Sequence, residues 1–204
     1  MLITLGIIGV VAAMTMPMLI AKYQKLVVET KLQVFYAQIN DAFRRAHADY
    51  DGTFDDWVIK DKNYSYNETK KFLETYLLPY VKYTKIKQCN NKWGQIFACV
   101  YFVNGTMMRL SIDDNGGDIV FHPNAKYEYN PREKFAFQMV KKKIQGSKAY
   151  NSVEFIEPYV LDWNGNRESL KTGQWGCYKG CENCSYCTKL IQINGWKIPD
   201  GYPW

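Results

Sequence analysis

The chain opens with MLITLGIIGVVAAMTMPMLIA (residues 1–21), a stretch without one charged side chain. A helix of this length spans about 31 Å, close to the thickness of the hydrocarbon core of a bilayer. A soluble helix is rarely apolar on all of its sides. We therefore predict a transmembrane helix over residues 1–21, with a cleaved signal peptide and a buried core helix as the alternatives.

The helical pattern continues beyond Lys22, where apolar residues recur at steps of three and four with charged residues between them. This spacing is typical of an amphipathic helix, and Asp51-Gly52 is a typical helix end. We predict one helix of about 75 Å, with a transmembrane half at 1–21 and an amphipathic half at 22–52. The apolar stripe of this helix comprises Ile20, Tyr23, Leu26, Val27, Val34, Phe35, Ile39, Ala42, Phe43 and Ala46.

The composition suits one domain with an appendage. The chain has 204 residues, of which 47% are apolar and 16% aromatic, so it can bury a core and is not disordered. The mean hydropathy of −0.35 excludes a protein with many membrane spans. The net charge of +6 is mildly basic and does not by itself indicate a nucleic-acid partner.

The sequence pattern of residues 53–204 predicts a small α+β head. Ser65-x-x-Glu68 has the spacing of a capping box and predicts a helix that ends near Pro79. Asn104-Gly105, between strand-like runs at 95–103 and 106–112, predicts a hairpin. Further strands are predicted at 119–121, 135–140 and 153–161, followed by helical turns at 187–193 and an irregular tail. The predicted fold is a long N-terminal helix packed on a small antiparallel sheet.

Six cysteines form two groups along the head. A bond between Cys89 and Cys99 would close a short loop, and the other four follow a C-x3-C-x2-C-x2-C pattern that allows three pairings. Four close thiols also suit zinc or an iron–sulfur cluster, but a head exported past a membrane anchor favours disulfides. We predict a disulfide-braced C-terminal region, with Cys89, Cys99, Cys177, Cys181, Cys184 and Cys187 as the candidates.

Signatures of catalysis are scarce. His47 and His122 are the only histidines, and the sequence has no G-x-S-x-G, P-loop or G-x-G-x-x-G motif. We predict no enzymatic activity, no cofactor and no metal. The acidic loops at 113–118 and 162–166 are interpreted as polar turns rather than calcium sites. The lysines at 141–143 are interpreted as a solvated face, so nucleic acid is an unfavoured partner.

Residues 5–21, with the amphipathic helix that follows them, resemble the N-terminal helix of type IV pilin-like proteins. These are the pilins and the pseudopilins of type II secretion systems. Pro17 matches the proline that kinks this helix in the family, and Gly6 and Gly9 match its small residues. CTKLIQINGWKIPDGYPW (residues 187–204) and the stretch 72–89 resemble a prepilin-type subgroup with cysteine-rich heads.

This resemblance implies a structural subunit of a type IV pilus or a type II secretion filament that assembles through its N-terminal helix. The implied partners are other pilin subunits, the membrane, an assembly platform and a separate ATPase. The implied location is a single-pass membrane protein with its head outside the cytoplasm, and later a surface or periplasmic filament.

In the family, a basic leader and a cleavage motif precede a methylated N-terminus, and a glutamate lies close to that N-terminus. All of these features would lie before Met1, so we expect the natural chain to begin upstream. Three alternatives remain open: a membrane-anchored exported binding domain, a thiol–disulfide protein and a minor pilin for DNA uptake.

Overall fold

A single helix, α1 (Leu2–Asp49), forms the N-terminal quarter of the molecule and continues through Pro17 without a break. The computed structural model describes residues 2–51, 56–57, 65–90, 94–113, 116–125, 133–140 and 155–204. The predicted long helix is confirmed, and it ends within three residues of the predicted Asp51-Gly52 stop. The predicted transmembrane character of its first half is not confirmed, because no helix in the described residues has a stretch long and apolar enough to cross a membrane.

Six antiparallel strands form one sheet in the order of the sequence, so each strand pairs with the next. The predicted hairpin at Asn104-Gly105 is confirmed, and Gly105 adopts the positive φ of +75° that this turn requires. Gly116 and Asp118 belong to a strand rather than to the predicted loop. The strands are β1 (Tyr83–Asn90), β2 (Ile96–Phe102), β3 (Met107–Asp113), β4 (Gly116–His122), β5 (Phe135–Val140) and β6 (Ile156–Pro158).

Strand β1 is absent from the sequence-based prediction, which placed no element at these residues. It lies at the edge of the sheet, and most of its side chains are exposed. Lys85 and Lys87 both lie over the ring of Tyr101, at 4.8 and 5.3 Å from its centroid. Charged side chains are a common protection of sheet edges, and they also remove the hydrophobic alternation by which strands are recognised.

Two further helices, α2 (Tyr66–Tyr76) and α3 (Cys187–Ile193), confirm the predicted helical segments. A 3-10 turn (Leu78–Tyr80) follows α2, and a second one (Glu168–Lys171) precedes α3. The predicted capping box is wrong in detail, because Ser65 is the N-cap residue of α2 but its side chain makes no capping hydrogen bond.

The second half of α1 packs on one face of the sheet. Phe35 stacks on Phe121 with ring centroids 4.2 Å apart and also contacts Phe102 and Phe137. The predicted stripe is confirmed only in part. Its exposed members are Ile20, Tyr23, Leu26 and Val34, at least half exposed, and the buried face of α1 consists of Val28, Leu32, Phe35, Ile39, Ala42, Phe43 and Ala46.

All six cysteines are paired in disulfides. The predicted bond between Cys89 and Cys99 joins β1 to β2. The bond between Cys181 and Cys184 lies within the loop that the bond between Cys177 and Cys187 closes, so the C-terminal pattern is nested. Among the described residues, the structure contains no group of three or more potential metal-ligating side chains. Asp114, Asn115 and Lys141–Lys143 lie outside the described residues.

Candidate assembly site on the N-terminal helix

From Ile8 to Ile20, α1 carries its large apolar side chains in solvent. Eight large apolar residues between positions 8 and 20 are more than half exposed, from 53% at Ile20 to 77% at Met18. Since a helix turns by about 100° per residue, this run covers the whole circumference and not one stripe. We call residues 8–20 the assembly segment. Its exposed large residues are Ile8, Val10, Val11, Met14, Met16, Met18, Leu19 and Ile20.

The assembly segment has almost no polar groups that need hydrogen-bonding partners outside the helix. Its one hydroxyl, that of Thr15, donates a hydrogen bond to the carbonyl oxygen of Val11 at 2.9 Å. The helix itself satisfies the backbone groups of its interior, except that Pro17 has no N–H to donate to the carbonyl oxygen of Ala13. A partner of this surface therefore needs few hydrogen-bonding groups, and an apolar surface of similar shape suits most of it.

The three residues predicted for assembly all lie in α1, and the structure does not bring them together with any residue of the head. Gly9 is exposed, and a Cβ placed on it would have no described atom within 4 Å. Pro17 is exposed as well. The surroundings of Gly6 lie outside the described side chains. A close approach at Gly9 would therefore come from outside the part of the chain that the structure describes.

Glu29 holds the start of the buried half of α1 to the C-terminal tail. One carboxylate oxygen accepts a hydrogen bond from the backbone N–H of Ile198 at 2.8 Å, and the other lies 3.0 Å from Nζ of Lys197. Glu29 is only 8% exposed, although its sequence position is one of the charged positions between apolar residues. Sequence analysis did not identify this contact, because its two sides are separated by more than 160 residues.

Two more contacts surround this point. Nζ of Lys31 donates to the carbonyl oxygen of Pro123 at 2.7 Å, and Nζ of Lys25 lies 5.8 Å from the ring centroid of Trp204. The first half of α1 therefore leaves the head from a junction held by ionic, hydrogen-bond and cation–π contacts.

The far end of α1 is equally well attached to the head. The side-chain amide of the buried Asn40 donates to the carbonyl oxygen of Ile156 and accepts from its N–H, at 3.3 and 2.9 Å. The hydroxyl of Tyr80 donates to Asp49 at 2.6 Å, which raises the pKa of Tyr80 to about 12. Both ends of the buried half of α1 are therefore held to the head by side-chain hydrogen bonds.

The molecule thus belongs to a structural class: an α+β head with a disulfide-braced C-terminal region, carried by a helix whose first half is apolar and exposed. The chain belongs to a family of unknown function, DUF6613, which matches it over residues 18–204. This match covers the second half of α1 and the whole head. Comparison with curated proteins gives no match, and comparison with solved structures gives none either.

Proposed function

We propose that this protein is a structural, non-enzymatic subunit that assembles with copies of itself through the assembly segment, in the manner of a type IV pilin or a type II secretion pseudopilin. One observation carries the proposal: an apolar helical segment, exposed on all sides, continues without a break into a helix that is packed in a folded head. A segment of this kind has no partner among the described residues of its own chain, and we infer that it finds one in another molecule.

The energy available for assembly is large. Fully burying one side chain of the size of Leu, Ile, Val or Met contributes roughly 1.5–3 kcal/mol. The assembly segment exposes eight such side chains around the whole helix. A dimer would cover one side of the helix, whereas a bundle of many parallel copies covers all sides. The even distribution of exposed apolar residues therefore favours a filament with the helices in its core.

The head has the properties expected of a part outside the cytoplasm. Three disulfides within about 100 residues are typical of an oxidising compartment, on the cell surface or in the periplasm. They favour export of the head.

Before assembly, the uncharged residues 1–21 would need an apolar environment as well. We propose that lipid supplies it as part of a single-pass anchor. Transfer of the segment from lipid into a filament would then need an assembly platform and a separate ATPase.

Photo-crosslinking in cells tests the proposal. A benzophenone amino acid replaces Met16 in one variant and Met18 in another, because residues two apart face opposite sides of a helix. A third variant carries it at Val103, which is 60% exposed in the β2–β3 turn and serves as the control. We expect ladders of dimers, trimers and larger products from both helix positions and none from the turn.

Other crosslinking patterns would contradict the proposal in distinguishable ways. A single dimer band from only one helix position would indicate a two-helix interface. Lipid adducts without protein ladders would indicate a permanent anchor. A ladder of equal strength from Val103 would place the contacts between subunits on the heads.

The C-x2-C disulfide favours one second candidate, an anchored thiol–disulfide protein. Cys181 is partly exposed, and it pairs with Cys184 three residues away, a spacing found in redox-active motifs. Titration with mild reductant, followed by alkylation and mass spectrometry, separates the two candidates. Reduction of this bond alone at cellular redox poise would favour the redox candidate, and resistance of all three bonds would remove it.

A further inference from the structure

An open cleft lies on the face of the sheet opposite α1. Phe35 of α1 contacts Phe121 and Phe137, so the residues that alternate with them in the strands face away from the helix. The C-terminal region borders this second face, and the cleft between them has a volume of about 460 Å³. Its lining includes Arg109 and Asp118 from the sheet.

Two cations lie deep in the cleft. Arg109 is 3% exposed and Lys134 is 6% exposed. Nζ of Lys134 donates to the carbonyl oxygen of Asn183 at 2.8 Å, and the guanidinium carbon of Arg109 lies 4.8 Å from the ring centroid of Phe97. Asp118 is the one carboxylate among the described residues of the lining, so the cationic groups outnumber the acidic groups.

The positive charges of the cleft act on a neighbouring histidine. His122, on the strand next to Arg109, is fully buried. Burial lowers the pKa of His122 to about 3, and the positive charges of Arg109 and Lys134 act in the same direction. His122 is therefore neutral at ordinary pH and adds no charge of its own. A carboxylate that enters the cleft would be attracted by the two cations, because electrostatic attraction is strong where little water is present.

Two aromatic rings also line the cleft. The rings of Trp175 and Tyr159 are tilted by 57° to each other with centroids 5.4 Å apart. Trp175 is only partly buried and also borders a second hollow of about 210 Å³, together with Trp163 and Asn164. A partly exposed indole beside amide and carboxylate groups offers a flat apolar surface next to hydrogen-bonding partners.

We propose that this cleft binds an acidic saccharide, with a sugar carboxylate against Arg109 and Lys134 and a sugar ring against Trp175. The guanidinium group of Arg109 can bind a carboxylate through two parallel hydrogen bonds, whereas the ammonium group of Lys134 attracts it as a single positive charge. The volume accommodates more than one sugar unit, and Asn183 and Ser185 in the lining offer polar groups to sugar hydroxyls. The binding of such a ligand does not depend on filament assembly.

Calorimetric titration of the full chain in detergent tests this site. The probes are trigalacturonate, the neutral galactose trisaccharide and a tetraglutamate peptide. We expect trigalacturonate to bind and the other two to bind at least about tenfold more weakly. Added salt is expected to weaken the binding of trigalacturonate.

Substitutions separate the two parts of the proposed contact. Trp175→Ala and Arg109→Lys are each expected to weaken trigalacturonate binding by about tenfold. Trp175 is partly exposed, and Arg109→Lys keeps the charge, so both variants are expected to fold, which the near-UV circular dichroism checks. The matched control is Trp163→Ala, which alters the neighbouring hollow only and is expected to leave binding unchanged.

Three results would overturn the proposal. Equal binding of the neutral trisaccharide would remove the role of the cations. Equal binding of tetraglutamate would indicate a general anion site without recognition of a sugar. Unchanged affinity of the folded Trp175→Ala variant would remove the stacking contact.

Discussion

The two halves of α1 belong to one continuous helix, yet their apolar side chains have opposite environments. Leu19 in the assembly segment is 68% exposed, whereas Leu32, less than four turns further along, is completely buried. Ile8 and Ile39 show the same contrast, at 65% and 0% exposure. The residue type and the secondary structure are the same in each pair, so neither accounts for the difference.

The presence of a partner within the same chain accounts for it. From Val28 onward the head buries one face of α1, whereas no side chain described in α1 before Val28 is buried. The second half of α1 therefore stabilises the fold. The first half leaves apolar surface exposed, so that burying this surface can drive a contact with other molecules. The predictions below test this division of roles.

The largest expected effect comes from a matched pair of leucine substitutions. Leu32→Ala removes a fully buried side chain and should lower the free energy of unfolding of the head by about 2–5 kcal/mol. Leu19→Ala should change it by less than about 0.5 kcal/mol, because the side chain is exposed and alanine favours helix. Urea denaturation in detergent measures both values.

The crosslinking ladder should show the reverse order for the same two variants. Leu19→Ala should weaken the ladder obtained from Met18, while folded Leu32→Ala should retain it. Equal losses of stability for the two variants would show that the first half is part of the head's core, contrary to the structure.

Removing the C-terminal disulfides one at a time would measure how much each of them contributes to the stability of the head. In the chain-entropy relation, the bond between Cys177 and Cys187, at a separation of 10 residues, contributes about 3 kcal/mol. The bond between Cys181 and Cys184, at a separation of 3, contributes about 1.5 kcal/mol. Paired Cys→Ala variants should therefore lower the unfolding free energy unequally, as urea denaturation can measure. A larger loss from the inner pair would contradict the relation for this loop.

Changing the pH titrates no side chain of residues 1–21, because they contain no charged side chain and no histidine. The pKa of His122 is about 3 in the folded state, below the ordinary value of 6.5. Between these values the unfolded chain binds the proton and the folded chain does not. His122 therefore destabilises the fold as the pH falls from about 6.5 to 3, by up to about 1.4 kcal/mol per pH unit.

Urea denaturation of different variants at about pH 7 and about pH 4.5 measures how much His122 contributes to the loss of stability at the lower pH. His122→Gln should reduce the loss of stability at the lower pH, whatever its effect at pH 7. His47→Gln, at an exposed position of α1, is the control and should lose as much stability as the original chain. An unchanged pH dependence in His122→Gln would show that His122 is not buried in its neutral form.

The smallest effect concerns the junction between the two halves. Glu29→Gln keeps an acceptor for the N–H of Ile198 but removes the charge that faces Lys197, and should cost about 1 kcal/mol. Asp41→Asn removes one partner of the exposed pair of Asp41 with Arg45 on the same helix and should cost less than about 0.5 kcal/mol. Equal effects in thermal denaturation would mean that the junction is no stronger than a surface ion pair.

Much of the secondary structure could be predicted, because its signals are local. The three-and-four spacing predicted α1, and Asn104-Gly105 predicted the β2–β3 hairpin. The elements that were missed carry no such signal. Strand β1 exists because β2 provides hydrogen-bonding partners for it, and its lysines obscure the alternation that marks a buried strand.

The candidate sites show the same limit. The apolar character of residues 1–21 is evident in the sequence, but the exposure of the assembly segment on every side required the position of the head. Three features join residues that only the folded chain brings together. They are the contact of Glu29 with Lys197, the nested disulfides and the cleft at Arg109. Spacing alone left three pairings open for the last four cysteines.

The sequence by itself indicated that a long helix precedes an α+β head, that the helix changes from uncharged to amphipathic, and that a bond between Cys89 and Cys99 would close a short loop. These properties follow from periodicity and turn chemistry within short windows. Only the tertiary structure decided which apolar residues are core and which are exposed, how the C-terminal cysteines pair, and where cations become buried. Burial and pairing depend on which distant segments cover a side chain, and that is a property of the packed chain rather than of any short stretch of it.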